Sequence, residues 1–559
     1  MVRATFSGFN TALSALQANQ KRLDITGQNL SNMNTAGYTR QQLEASSLNY
    51  TNPVSHYSNG NETAVGFGVS MDRVSQIRDP YLDIQYRSQS ADCSYTNRLQ
   101  TALNSLSKVL DETTISGIRQ AFDDVQSTLT SMQDPAKVSD PIYESELRTK
   151  MQSVCNLFNQ ASRQITQAEQ NEFQRLTGEG SSEQGDVQKI NDILRQIGDL
   201  NVQIKRNQVA GHPSLELQDE RNLLLDELSG YIPVETRYYK DDAHSGNNAY
   251  DYDANGAVIG KKDWPDDLEV SMNYIDAQGK SQKLILVNGS DLGADGLTKN
   301  YGQLSVLKGD HQTAASVSDP ANISIKFEKA PSYQGNGPAA TNDVYAELKG
   351  IRFEGGSLQA SLDMLQKTGT GNVIKGSTAV DDVRGYQYYS EKLDHLALTF
   401  AESMNNINNG NKNPKDQNLL SNSTDDSTTG ITAGNIGISK GWTSGTIHIS
   451  TDGTNRTDTI LDMIAAMKDT KKLNGKTFAD YMNNLSTQLA SDSSSNQTAL
   501  KTGTTVLNSI QDSRDSLSGV SLDEEATNMM AYVSAYNAAS RLMTALDEVL
   551  NTLISNTGA

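Results

Sequence analysis

The hydrophobic pattern of the chain is helical at both ends and changes in the middle. Near the first residues, apolar side chains recur at alternating steps of three and four, the spacing of a coiled-coil seam, if Gln20 and Gly27 fill two vacant steps. The predicted seam consists of Phe6, Phe9, Leu13, Leu16, Leu23 and Leu30. It stops within 29–38, where asparagine side chains compete for backbone groups and Gly37 permits positive φ, so we predict a turn there.

The body of the chain shows mainly helical spacing, interrupted by turn residues. Glycine-broken sequence in 66–81 predicts short strands and linkers, and the polar stretch 405–429 predicts a surface loop. Helices are expected again from residue 460 onward. The other predicted helices fall in 99–110, 118–129, 147–165, 190–204 and 386–404.

From about residue 233 the apolar period changes from helical to two, which is typical of strands. Because these runs are bounded by Gly, Asp and Asn, they predict an inserted antiparallel β domain. Its strands are expected at 268–274, 283–287, 323–327 and 345–353, with two more strands beyond it at 436–438 and 446–449.

The last helix has two neighbouring apolar stripes that together cover more than half of its circumference. One stripe is Met529, Val533, Tyr536, Met543, Leu550 and Ile554, and the other is Tyr532, Ala539, Leu542, Leu546, Val549 and Leu553. A single partner helix cannot cover so wide a surface. Spacing alone leaves two readings open: burial within a large helical domain, or packing against the N-terminal helix on one side and neighbouring subunits on the other.

Composition limits the possible fold classes and the kinds of partner that the protein could bind. A length of 559 residues predicts three to four domains at roughly 150 residues each. Only 36% of residues are hydrophobic and 6% aromatic, which favours thin, elongated domains. The net charge is −20, from 47 basic and 67 acidic residues, and argues against a nucleic-acid-binding surface. We therefore predict an elongated, multidomain α+β protein.

No catalytic constellation can be identified in the sequence. The six histidines are isolated, and no P-loop, GxSxG or zinc-ligand spacing occurs, so we predict no enzyme activity, no catalytic residue and no cofactor. The cysteines Cys93 and Cys155 are expected to pack as small hydrophobic residues. No apolar leader or membrane-spanning run is evident, which predicts a chain without a cleaved signal peptide or membrane insertion.

One segment resembles part of a calcium-binding loop. Asp251, Asp253 and Asn255 place oxygen ligands at alternate positions, and Gly256 follows at the sharp turn. Lys262, however, occupies the position of the bidentate glutamate. A plain β-turn is therefore favoured, with calcium as a weak alternative.

Both ends of the chain resemble bacterial flagellar axial proteins. The N-terminal resemblance rests on Ser7 to Leu13 and on Asn29, Asn32, Asn34, Gly37, Tyr38 and Arg40. The C-terminal segments, 518–525 and 532–541, are similar to the hook-associated family found at the hook–filament junction (FlgK), and 190–204 and 219–229 also resemble it. Two departures are Ala36, where the family usually has proline, and Asn222, where it usually has aspartate.

This resemblance implies a structural subunit, secreted through the flagellar type III export apparatus and located in the extracellular flagellum. The implied partners are further copies in a ring, the hook protein, a second hook–filament junction protein and a cytoplasmic export chaperone at the C-terminal helix. The alternatives are another axial protein of the hook, rod or junction, or an extracellular adhesin or carbohydrate-binding protein using the β insertion. A hydrolase hidden in the insertion is the weakest reading.

Combining pattern and resemblance, we expect three regions. Residues 1–40 with 519–559 form a coiled-coil polymerisation domain, 41–231 with 354–518 form a mainly helical body, and 232–353 form the β-rich insertion. Residue preferences alone favour an ordinary helix stop and turn at 29–38, and the resemblance implies that this turn acts as an elbow that orients the terminal helices. The expected assembly contacts are the N-terminal seam residues given above together with Met529, Val533, Tyr536, Leu542, Leu546, Val549, Leu550 and Leu553.

Overall fold

A computed structural model gives the fold of the chain. It describes residues 6–48, 68–110, 117–138, 140–210, 212–240, 250–252, 258–261, 266–292, 296–332, 343–375, 377–378, 380–410, 417–451 and 456–557. Within these ranges the chain is predominantly helical, with small antiparallel sheets, which agrees with the predicted α+β class.

The segments with predicted helical spacing lie in helices, whereas the helices at 215–231 and 357–366 were not predicted from spacing. Turn residues define several of their ends. In the helix Pro141–Thr177, the Asp140 side chain accepts a hydrogen bond from the Ile142 N–H at the start, and Gly178, with a φ of 77°, ends the helix. The helices are α1 (Phe6–Ser31), α2 (Pro80–Leu110), α3 (Ile118–Ser131), α4 (Pro135–Val138), α5 (Pro141–Thr177), α6 (Asp186–Val209), α7 (Leu215–Tyr231), α8 (Ser357–Gln366), α9 (Tyr386–Asn408), α10 (Lys440–Ser444), α11 (Asp458–Lys468), α12 (Phe478–Ser518) and α13 (Leu522–Thr557).

The named strands pair antiparallel in two three-stranded sheets, ordered β3-β6-β7 and β10-β9-β8, and in the hairpins β1-β2, β4-β5 and β11-β12. Their bounds are β1 (Gln41–Ser47), β2 (Val69–Gln76), β3 (Val234–Lys240), β4 (Tyr250–Tyr252), β5 (Val258–Lys261), β6 (Asp266–Ile275), β7 (Ser281–Asn288), β8 (Leu304–Leu307), β9 (Ser324–Phe327), β10 (Val344–Ala346), β11 (Leu420–Asn422) and β12 (Ile436–Ile438).

Three local predictions are wrong. The strand expected at 345–353 is only the short β10, because residues 347–350 form a turn in which the Gly350 N–H donates to the Glu347 carbonyl. The supposed surface loop at 405–429 includes the end of α9 and strand β11, because the buried Asn405 side chain accepts hydrogen bonds from the Leu419 and Leu420 N–H groups. The supposed strand at 446–449 is irregular. The N–H groups of Thr446 and Ile447 both donate to the Gly441 carbonyl, so this segment closes the end of α10 and adds nothing to a sheet.

One contiguous hydrophobic core extends from Ala102 to Leu489 and includes no residue of α1 or α13. The strands between 234 and 346 contribute to this core and are tied to α6 by asparagine side chains. Asn191 donates to the Leu304 carbonyl at 2.9 Å, and Asn201 donates to the Leu268 carbonyl at 3.1 Å. The β-rich segment thus packs directly on a helix of the body.

Among the described helices, none has an apolar stretch long enough to span a lipid bilayer. The two cysteines are free thiols and both are buried, Cys93 in α2 and Cys155 in α5. Burial raises the pKa of the Cys155 thiol to about 12, so this group stays protonated at neutral pH.

Candidate assembly interface

The helices at the two ends of the chain pack antiparallel against each other. Leu546 lies beside Gly8, where an added methyl would be 3.4 Å from the leucine methyl carbons. Farther along, the Arg22 guanidinium lies over the Tyr532 ring, 5.6 Å from its centroid. Contacts at both positions show that α1 and α13 remain side by side over several turns.

Small side chains of α1 are its most buried apolar positions. Ala12, Ala18 and Ile25 are at most 7% exposed, whereas Leu13, in the predicted seam, is 46% exposed. The other seam residues described by the structure, Phe9, Leu16, Leu23 and Leu30, are partly buried. The side chain of Phe6 lies outside the described residues. The predicted seam therefore runs along the edge of a buried stripe that is made largely of small residues.

The buried and partly buried apolar residues of α13 recur at steps of three and four, with one step of seven between Tyr532 and Ala539, as in a helix-pairing seam with one vacant position. Both stripes predicted from the sequence contribute to this inward seam. Its residues are Met529, Tyr532, Ala539, Met543, Leu546 and Leu550.

Exposed apolar residues of α13 flank the inward seam on both sides. At about 100° per residue, Leu542, Val549 and Leu553 project on one side, and Val533, Tyr536 and Ile554 on the other. These six side chains are between 37% and 61% exposed. The helix thus presents two apolar surfaces in addition to the one that faces α1.

The turn after α1 is built around one buried amide. Asn29 is 1% exposed, and its Oδ1 accepts hydrogen bonds from the Gln41 N–H at 3.0 Å and the Tyr38 hydroxyl at 2.9 Å. Its Nδ2 donates to the Gln41 carbonyl at 3.0 Å. A single side chain therefore joins the end of α1 to the start of β1.

The other predicted turn residues lie nearer the surface. The Asn32 side chain donates to the Gln28 carbonyl at 3.0 Å and accepts from the Thr35 hydroxyl at 3.3 Å. Gly37 has a φ of 78°, a left-handed conformation that glycine adopts without strain, and Asn34 is exposed. These residues form the local turn, and Asn29 connects it to the strand.

Thr39 anchors the turn to the helical body. Its N–H and hydroxyl donate to the two carboxylate oxygens of Asp219 in α7, at 3.1 Å and 2.6 Å. Burial raises the pKa of Asp219, and the hydrogen bonds from Thr39 oppose that rise. Burial and the nearby acids also raise the pKa of Tyr38, so its hydroxyl remains a hydrogen-bond donor.

An arginine near the end of α12 joins that helix to the body. Arg514 pairs with Asp83 in α2 at 3.2 Å and with Asp226 in α7 at 2.7 Å. Its guanidinium also lies 4.2 Å from the centroid of the Tyr86 ring. Sequence reasoning missed this cluster because its members are far apart along the chain.

The segment with the calcium-like pattern falls mostly outside the described residues. Asp253 and Asn255 lie outside them, and Asp251 belongs to the short hairpin strand β4. Within the ranges that the structure describes, no three His, Cys, Asp or Glu side chains are placed to hold a metal ion.

Three family models match this chain, in the order of its regions. The flagella basal body rod protein model matches residues 9–39, the flagellar hook-associated protein FlgK helical domain matches 103–414, and the flagellar basal body rod FlgEFG protein C-terminal model matches 513–556. The two rod-type matches cover most of α1 and α13, whose pairing forms the candidate interface.

Two named relatives and one solved structure are similar to this chain. Flagellar hook-associated protein 1 of Bacillus subtilis is 29% identical over 99% of both chains. The protein of the same name from Salmonella typhimurium is 29% identical over 40% of this chain and 38% of its own length. A solved structure, the flagellar hook junction protein FlgK from Burkholderia pseudomallei, aligns with a TM-score of 0.38 and 18% identity over 61% of this chain and 45% of that one.

Proposed function

The chain belongs to the family of the flagellar hook-associated protein FlgK, and from this premise we propose that it is a structural subunit joining hook to filament in the bacterial flagellum. Its role in motility is to hold other axial proteins together, without catalysis. The relatives it matches are named as flagellar hook-associated proteins, which supports a structural role.

The two exposed apolar sides of α13 are the main support for self-assembly. Leu542 and Val549 lie on one side, Val533 on the other, and α1 occupies the seam between them. Apolar surface of this extent on a soluble chain marks a site of protein contact. We propose that copies form a ring in which each α1–α13 pair is a coiled coil that packs between two neighbours.

We propose the remaining partners from the exposed apolar sides of α13 and from the family to which the chain belongs. We propose that the ring contacts the hook protein on one side and a second junction protein on the other. Before assembly, a cytoplasmic chaperone covers α13, since its apolar sides would otherwise associate prematurely. The chain then leaves the cell unfolded through the flagellar type III export apparatus and functions in the extracellular flagellum.

We also propose the three-region division for this chain. The α1–α13 pair, with residues 1–40 and 519–559, is the polymerisation region; 41–231 with 354–518 is an elongated body; and 232–353 is a β-rich insertion resting on it. Helix α12 alone, with 41 residues, is about 60 Å long, which supports the elongated form.

Deletion of the gene in its own bacterium, followed by electron microscopy, tests the proposed function. Cells lacking the protein should retain hooks in normal number but bear no filaments, and the intact gene should restore the filaments. Immunogold labelling should place the protein at the end of the hook. Normal filaments in the deletion strain, or labelling elsewhere, would contradict a junction role.

A further inference from the structure

We propose that Arg40 is a positioning residue that sets the direction of the α1–α13 pair relative to the body. This inference rests on the proposed assembly function, because the direction of the pair determines whether neighbouring subunits can meet. It assigns a task to a side chain that takes no part in either apolar surface. The support comes from the four groups that Arg40 contacts.

The backbone of Arg40 joins two long helices of the body. Its N–H donates to the carbonyl of Ser518, the last residue of α12, at 2.9 Å. Its carbonyl accepts from the N–H of Ile77, three residues before α2 begins, at 2.8 Å. Both groups are main-chain atoms, so the backbone at Arg40 is held against the body regardless of its side chain.

The side chain of Arg40 reaches the first turn of α13. Its Nε donates to Glu525 at 2.8 Å, and one terminal nitrogen donates to Glu524 at 2.7 Å. Glu525 is 2% exposed and Glu524 is 62% exposed on their side chains, so the pair with Glu525 is the one shielded from water. Acidic groups at a helix N-terminus also stabilise the helix through a favourable interaction with its dipole.

These contacts lie on both sides of the bend at Gly519, between α12 and α13. Only residues 519–521 separate α12 from α13, and three linking residues do not by themselves fix the angle between two helices. The Arg40 N–H binds the end of the helix before the bend, and the guanidinium binds the start of the helix after it. One residue therefore spans the bend.

The position of Arg40 is itself fixed by its neighbour. Thr39 donates two hydrogen bonds to Asp219 of α7, so the guanidinium starts from a site held by the body. Tyr38, which precedes Thr39, donates a hydrogen bond from its hydroxyl to Asn29 near the end of α1. The bend between α12 and α13 and the turn after α1 are thus held at one place.

Spin-label distance measurements on the purified full chain test this role directly. Labels at Ser509→Cys on α12 and Ser534→Cys on α13 lie at exposed positions, and the two native cysteines are buried. The parent protein should give one narrow distance distribution. Arg40→Met should broaden or shift it while far-UV circular dichroism stays unchanged, an effect that a merely local stabilising contact would not produce.

The matched control is Arg73→Met, which removes an exposed arginine–glutamate pair on the β1-β2 hairpin, 2.7 Å from Glu44. It should leave the distance distribution as in the parent. A milder variant, Arg40→Lys, keeps the charge but cannot bond both carboxylates in a planar fork, so it should broaden the distribution less. If Arg40→Met does not fold, the distance distribution of Arg40→Lys becomes the test, and broadening relative to the parent supports the positioning role.

Incorporation at hook ends in living cells is the second measurement. Arg40→Met should lower the number of filament-bearing hooks about tenfold or more, and Arg73→Met should not. Parent-like distances and parent-like incorporation in both Arg40 variants would overturn the inference. If the parent protein itself is absent from hook ends, the proposed function fails, whereas the spin-label result still judges the positioning role.

Discussion

Some asparagine side chains in this protein lie exposed in turns, and others are buried and hydrogen-bonded to the main chain of a neighbouring segment. Asn34 is exposed in the turn after α1, whereas Asn29 and Asn405 are buried and hydrogen-bonded to main-chain groups. Sequence alone treats them alike, because asparagine is common in turns for its ability to bond nearby backbone. That rule located the turn at 29–38 correctly and misplaced a loop over the end of α9.

Substituting Asn29 by alanine should loosen the connection between α1 and β1. The change removes three hydrogen bonds and leaves the buried Gln41 N–H and carbonyl without the Asn29 amide, at a cost of about 2 kcal/mol or more. Hydrogen exchange at the Gln41 amide, followed by mass spectrometry or NMR, should therefore become about 30-fold faster.

Asn34→Ala is the matched control for that measurement, since it removes the same side chain from an exposed position of the same turn. Its effect on local stability should stay within about 0.5 kcal/mol. Equal exchange rates at Gln41 in the two variants would show that the buried amide does not hold the strand.

Polar contacts between distant side chains could not be predicted from the sequence. Thr39 and Asp219 are 180 positions apart, and Arg40 and Glu525 are 485 apart, so no local spacing links them. All four residues lie within segments that resemble the flagellar family. The resemblance identified the segments, but only the folded chain shows which side chains meet.

Helices were the elements best predicted from the sequence, because an apolar repeat over several turns is a strong local signal. The repeats at 118–129 and 190–204 fall within α3 and α6. The direction each side chain faces was less predictable in α13, where apolar residues cover more than half of the circumference. Tyr532 and Met529, assigned to different stripes, both belong to the inward seam.

Val549→Asp should abolish assembly without unfolding the helix pair. Val549 is 59% exposed beside the seam that faces α1, so a carboxylate there is tolerated in the single chain but would be buried between subunits. Incorporation at hook ends should fall at least about tenfold, while far-UV circular dichroism of the purified protein stays unchanged.

Two further variants test which face of α13 is needed for assembly. Asn537→Asp places the same charge on the exposed polar face of α13 and should assemble normally. Leu546→Asp acts differently, since Leu546 lies against Gly8, and it should reduce helicity as well as assembly. Normal incorporation of Val549→Asp would rule out a subunit contact on that side of α13.

At the scale of the whole molecule, the core and the paired end helices are built separately. The contiguous core extends from Ala102 to Leu489 and takes in both the helices of the body and the strands between 234 and 346. The low hydrophobic content of the sequence did not predict this division. The division is explained if, as proposed, the exposed apolar residues of α13 contact other subunits instead of the core.

This division predicts that the body folds without the end helices. A chain lacking residues 1–31 and 522–559 retains every residue of the core and the hydrogen bonds from Thr39 to Asp219. It loses the pair between Arg40 and Glu525 and the hydrogen bonds that join Asn29 to Gln41 and Tyr38. Its thermal unfolding midpoint should remain within about 5 °C of the full-length value, because the contacts that are lost all lie outside the hydrophobic core. The truncated chain should be absent from hook ends. A large fall in the midpoint, or a body sensitive to brief proteolysis, would mean that the α1–α13 pair is part of the folding unit as well as the means of assembly.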